Sequence, residues 1–114
     1  MIKRGETVLK IITYNKLVRD RIPELIETSG KTCTTEVLSH NDYLKMLDAK
    51  LDEELTEYHE CKSLEELADL LEVIYACAAA LGSSSQELEL IRQEKADKRG
   101  GFEKKILLKE VVEE

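Results

Sequence analysis

Apolar residues recur at helical spacing through most of this chain, and the polar residues between them fall where helices start and stop. Leu44, Leu47, Leu51, Leu55 and Tyr58 follow a 3-4-4-3 rhythm, one amphipathic face of a long helix. Ser39, followed three residues later by Asp42, predicts its start as a variant of the capping box, and the helix is expected to run to about Cys61. A full capping box, Ser63 to Glu66, opens the next helix, which is expected to run to Leu81 with Gly82 after it. A further helix fits Ser84 or Ser85 to Arg99 and stops at Gly100-Gly101. Ahead of these, a shorter helix is predicted from Asp20 as N-cap, with Pro23 tolerated in its first turn. Ile22, Leu25 and Ile26 form its apolar stripe, and Gly30 ends it. Thr32 to Leu38 is β-branched and polar and reads as an extended segment or loop. The apolar run in the tail, Lys105 to Val112, is expected to form a strand pairing with Val8 to Ile12 or with Thr34 to Leu38.

The expected fold is therefore all-α: an antiparallel bundle of about four helices with short extended segments near the termini. Residues 1–13 form an N-terminal extension that can carry a short strand, and residues 14–114 form the domain proper. Met1 to Glu6 precedes the first patterned residues. Because Arg4-Gly5-Glu6 can be encoded by a purine-rich AGGAG-like stretch, it reads as a translated ribosome-binding region, with the true start near Val8 or Leu9.

From Leu70 to Leu81 the one charged residue is Glu72. A helix that is apolar nearly all round is surrounded, and a chain of 114 residues has few helices with which to surround it. The expectation is a symmetric homodimer, with a tetramer as the alternative, and this helix near the interface.

Composition narrows the function. With 42% hydrophobic and 36% charged residues the chain is a globular, helix-rich protein whose core must be aliphatic, since it has no Trp and one Phe. The net charge of −7 argues against a nucleic-acid surface but leaves a nucleotide substrate open, because a bound metal neutralises carboxylates. Cys33, Cys61 and Cys77 show no CxxC spacing, and with His40 and His59 as the two histidines a zinc site is not expected. Thiols in a reducing cytoplasm are the simpler reading. No apolar run approaches the roughly 18 residues of a membrane span, so no membrane partner is expected.

Two short acidic motifs carry the candidate chemistry: Glu54-Leu55-Thr56-Glu57 and Glu66-Leu67-Ala68-Asp69. Each puts two carboxylates three residues apart, on one face of a helix. At about 100° per residue, Glu66 and Asp69 continue the face of Leu70, Val73 and Cys77. Glu54 borders the leucine stripe with Glu57 beside it, while Glu53 points away from the centre of that stripe. The bland reading is solvated charge on a Glu-rich helix surface. The sharper one is a four-carboxylate site, because uncompensated carboxylates beside an apolar face are costly and an all-oxygen cluster is the ligand chemistry of Mg²⁺. Internal cations are the competing answer to the same charge.

Lys95, Lys98 and Arg99 are such cations, since they continue the stripe of Leu88 and Ile91 on the last helix. In the last turn they also serve the helix dipole, and position alone does not separate the two roles. Asn15, Lys16, Arg19 and Arg21 make a second polar-basic cluster before the first helix.

Taken together, Glu53-Glu54-x-x-Glu57, Glu66-x-x-Asp69 and Lys98-Arg99-Gly100-Gly101-Phe102 resemble the MazG-like all-α nucleoside triphosphate pyrophosphohydrolases. The opening Tyr14-Asn15-Lys16-Leu17-Val18-Arg19-Asp20-Arg21-Ile22-Pro23 looks like the phosphoribosyl-ATP pyrophosphohydrolase-like subgroup, and the resemblance runs from about Tyr14 to Val112. It implies Mg²⁺, with Mn²⁺ as a substitute, held by Glu54, Glu57, Glu66 and Asp69. Lys95, Lys98 and Arg99 would meet the triphosphate, and the segment holding Asn15, Lys16, Arg19 and Asp20 would close the nucleotide pocket. The implied reaction is attack by a metal-activated water between the α and β phosphates, giving monophosphate and pyrophosphate, in a house-cleaning role. Glu54 is expected to act catalytically through the metal, and no residue is assigned as general base. The rival expectation is a non-catalytic helical nucleotide-binding or protein-interaction module, whose carboxylates are neutralised by an internal salt-bridge cluster.

Overall fold

A computed structural model of the chain describes residues 2–4 and 7–114, with side chains from residue 9 onward. The architecture is all-α: α1 (Ile22–Thr28), α2 (His40–Glu60), α3 (Leu64–Ala80) and α4 (Ser85–Arg99), preceded by two three-residue strands. These strands, β1 (Ile2–Arg4) and β2 (Thr7–Leu9), pair antiparallel, with Ile2 opposite Leu9 and Arg4 opposite Thr7. The expectation of a translated leader over Met1 to Glu6 falls in part on residues 1, 5 and 6, outside the described residues.

The helix boundaries follow local hydrogen-bond chemistry. Ser39 caps α2 with its hydroxyl accepting from Asp42 N, Ser63 accepts from Glu66 N ahead of α3, and Ser84 accepts from Glu87 N to cap α4. Each satisfies one of the amide donors that a helix start leaves without an intrahelical partner. The C-terminal ends of α1 and α3 close alike. Lys31 N donates to Ile26 O and Gly30 N to Glu27 O, while Ser83 N donates to Ala78 O and Gly82 N to Ala79 O. Gly30 and Gly82 sit at φ +90° and +84°, the left-handed conformation this paired closure needs.

Two expectations are corrected. Asp20 does not cap α1: the N-cap is Arg21, with helix-like φ −91° and ψ −2° and no side-chain cap. A capping carboxylate needs an extended N-cap residue, and here the chain already turns before the helix, with Ile22 N donating to Arg19 O at 3.0 Å. The tail does not form a strand either. Residues 105–112 and 34–38 are irregular, and Ile106, Leu107 and Leu108 are exposed. β2 pairs instead with β1, a few residues away, where loop closure costs less than it would for a partner about a hundred residues distant.

The chain divides into two compact units, Met1–Ile74 and Tyr75–Glu114, with the boundary inside α3. In the first, Leu47 on α2 and Val73 on α3 are the buried apolar side chains among the described residues; in the second it is Ala78. Leu67 and Leu71 in the first unit and Tyr75 in the second remain substantially exposed, and Leu64 is 81% exposed. Among the described residues no single helix is long and apolar enough to cross a membrane.

Candidate functional site

Two helices of the first unit bring the acidic motifs together. Glu54, Glu66 and Asp69 each place a carboxylate oxygen within 4.8 Å of the others, and Glu53, Glu54 and Glu57 form a second such group. Glu54 belongs to both and is the centre of the cluster. Its position on α2, seven residues after buried Leu47, keeps it on the helix face turned to the interior. At 7% exposure it is the one buried charged residue among those described.

Burial has electrostatic consequences. Loss of water pushes the Glu54 carboxyl above the usual carboxylate range, and the neighbouring Glu57 carboxyl, which a shared proton would join to it, pushes the same way; Lys50 opposes both. With both carboxylates ionised, that contact is acceptor against acceptor. Accordingly Glu54 Oε2 is buried without a hydrogen-bond donor, and so is Glu66 Oε2 across the cluster. A buried acceptor left without a donor is costly, and a cation between the two helices removes that cost.

Part of the charge is met from within. Lys50 Nζ lies 3.2 Å from Glu53 Oε2 and 3.3 Å from Glu54 Oε1, one turn back on the same helix. Lys16 Nζ donates to Glu53 Oε1 at 2.7 Å, and Arg19 Nη2 donates to Asp69 Oδ1 at 2.8 Å. The Lys16 hydrogen bond holds the Glu53 carboxyl below the usual carboxylate range, and the same bond raises the Lys16 ammonium above its own. Five carboxylates face three cations, which leaves two negative charges when all are ionised, the charge of one divalent cation.

All four predicted ligands, Glu54, Glu57, Glu66 and Asp69, thus lie in the two groups that Glu54 joins, with Glu66 and Asp69 in one and Glu57 in the other. Glu53, expected to point away, belongs to the cluster and receives two cations. Lys50, which the carboxylate motifs do not single out, joins the cluster from the interior face of α2, three residues after Leu47 and four before Glu54. Asn15 is exposed and adopts φ +46°, so its visible role is in the backbone: Asn tolerates the left-handed conformation better than most residues. Asp20 is exposed and Arg21 pairs with its own helix through Glu24.

Lys95, Lys98 and Arg99 lie in the second unit, exposed along the last turns of α4, where Gly100 N donates to Ala96 O at 2.8 Å. Leu88 on that helix is half-buried and Ile91 is exposed. Among the described residues, the ion pairs to the carboxylate cluster come from Lys16, Arg19 and Lys50.

Comparison with known proteins adds one relative. An uncharacterized protein of Mycolicibacterium smegmatis is 60% identical over 42 residues, covering 37% of this chain and 43% of that protein. The matched stretch therefore spans less than half the length of the relative. No family model and no solved structure matches the chain.

Proposed function

We propose that the protein is a Mg²⁺-dependent nucleotide pyrophosphohydrolase, cleaving a nucleoside triphosphate or related nucleotide between its α and β phosphates. The observation that carries this reading is the pair of buried carboxylate oxygens without donors, Glu54 Oε2 and Glu66 Oε2, on two different helices. The all-oxygen donor set fits a hard divalent cation, Mg²⁺ or Mn²⁺ in its place, held by Glu54, Glu57, Glu66 and Asp69. When bound, such an ion supplies a Lewis acid for phosphate oxygens and lowers the pKa of water. The chain's own residues do the rest: Lys50 keeps Glu53 and Glu54 in place, while Lys16 and Arg19 supply positive charge for the phosphates. Lys95, Lys98 and Arg99 would add to it by the resemblance alone. The resemblance of these motifs to MazG-like enzymes supports the same reaction, with a house-cleaning role in the cytoplasm as its setting.

A homodimer belongs to this proposal. The exposed apolar residues of α3 in the first unit, Leu64, Leu67 and Leu71, are the surface a second copy would cover. Sedimentation of the purified chain tests it, and a monomer at all concentrations excludes it.

The deciding experiment is a nucleotide panel with Mg²⁺ or Mn²⁺ and chromatographic identification of products. Monophosphate with pyrophosphate is the expected outcome. Release of inorganic phosphate alone, or no turnover of any nucleotide, rejects the assignment. The three cations already paired with the carboxylates favour one other reading, a non-catalytic nucleotide-binding or interaction module with an internal salt-bridge cluster. Stabilisation by Mg²⁺ separates the two, because a ligand that binds only the native state raises stability by mass action and a self-neutralised cluster gains nothing.

A further inference from the structure

Lys16 and Arg19, three residues apart on an irregular segment, reach two different helices: Lys16 pairs with Glu53 on α2 and Arg19 with Asp69 on α3. The partners are 37 and 50 residues away in sequence, so helical spacing does not account for these contacts. The segment is shaped for this reach. Asn15 turns the backbone at φ +46°, Lys16 Nζ lies 5.8 Å from the Tyr14 ring centroid, and the turn from Arg19 to Ile22 leads into α1.

The cations of the cluster differ in how firmly they are held. Lys50 is 14% exposed and bound to its own helix, whereas Lys16 and Arg19 are 41% and 55% exposed at the side chain. Water and salt compete with such exposed pairs, so they break easily. Asp69 is at once Arg19's partner and a member of the group with Glu54 and Glu66, in which two buried oxygens lack a donor. A divalent cation and a guanidinium on one carboxylate repel each other.

We propose that Arg19, with Lys16 beside it, is an exchange cation: it closes the carboxylate cluster while no divalent ion is bound, and turns to the phosphates of an anionic ligand once the ion takes Asp69. The proposal rests on the metal-site reading above and adds an order to it, metal before polyphosphate. Lys50 stays with Glu53 and Glu54 throughout. The freed guanidinium remains tethered beside the cluster, and its planar fork suits two phosphate oxygens at once.

Two titrations of the full chain test it: Mn²⁺ alone, with free ion read by electron paramagnetic resonance, and inorganic triphosphate at saturating Mg²⁺, read by calorimetry. Removing the internal competitor in Arg19→Ala is expected to tighten Mn²⁺ binding about two- to fivefold, the worth of an exposed ion pair. The same variant is expected to weaken triphosphate about tenfold or more, the worth of a charge-assisted hydrogen bond. Lys16→Ala is expected to move both constants in the same directions by less, and Arg19→Lys to recover part of each. Unchanged or weaker Mn²⁺ binding in Arg19→Ala, or undiminished triphosphate binding, overturns the exchange while leaving the metal site standing. A wild-type chain that binds no Mn²⁺ overturns both.

Discussion

Helices α2 and α4 are built by the same local rules and end with opposite fates. Both start at a serine N-cap, both carry an acidic residue in the first turn, and both close on basic side chains. Yet α2 buries Leu47 and Glu54, whereas α4 buries none of its residues. The Glu54 charge on α2 is a structural problem that a proton, a lysine or a metal ion resolves. A charge on α4 is solvated already. Charged motifs of similar appearance therefore carry different weight, and burial decides it.

The strongest way to break this contrast is to remove charge from each helix and compare. Glu54→Gln or Asp69→Ala is expected to lower Mg²⁺-dependent pyrophosphate release at least about a hundredfold, since even residues behind a metal's direct ligands cost up to that much. Removing Lys95 and Lys98 together is expected to cost only about tenfold, and less at high salt, because exposed charges are screened. Equal losses from the two helices would erase the distinction.

Metal addition sharpens the contrast on the side of stability. At a Mg²⁺ concentration of about a hundred times Kd, the native state is expected to gain about 2.7 kcal/mol, read as a rise in the thermal midpoint. Glu54→Gln should abolish that gain and Lys98→Ala should leave it intact.

Lys50 is next. Lys50→Ala leaves Glu53 and Glu54 with less neutralisation at a site that is largely buried. Without divalent ions it is expected to destabilise the chain by about 1–3 kcal/mol, measured by urea unfolding, with part of the loss recovered on adding Mg²⁺.

A smaller effect follows from pH. The Glu54 carboxyl titrates above its unfolded value, so the native state holds that proton more tightly. In metal-free protein its contribution to stability is therefore present at low pH and is lost as pH rises from the ordinary carboxylate range through the raised value. Glu53, held low by Lys16, runs the other way: its contribution is present above the unfolded value and lost as pH falls through the lowered one. Subtracting the profile of Glu54→Gln from that of the wild type should isolate a difference that shrinks as pH falls. A difference independent of pH would mean that Glu54 is not the group under strain.

The smallest expected effects treat the two helices alike. Ser39→Ala and Ser84→Ala should each cost about 0.5–2 kcal/mol of stability, since both hydroxyls accept the same kind of amide. Here the helices should not differ, and a large difference would show that a cap also depends on what its helix buries.

Much of this was legible in the residues. The serine caps, the glycines after α1 and α3 and the 3-4 rhythm of α2 placed three helices closely, because capping and periodicity act within a few residues along the chain. The start of α1 is not legible from Asp20, because the backbone turn at Arg19–Ile22 removes the extended conformation that a cap requires. Four carboxylates of the candidate site were readable from the ExxE and ExxD spacing. Lys50 stands in the same spacing, three residues after Leu47 and four before Glu54.

By itself the sequence determined an all-α chain, the boundaries of α2, α3 and α4 and the pairs of carboxylates on one helix face, because those depend on hydrogen bonds and side-chain directions within a turn or two. Only the tertiary structure decided that Glu54 joins two acidic groups, that Glu53 belongs with them, and that Arg19 meets Asp69 fifty residues on. The reason is physical: contacts between distant segments depend on the path of the loops and on which face each helix finally buries, and no local rule fixes either.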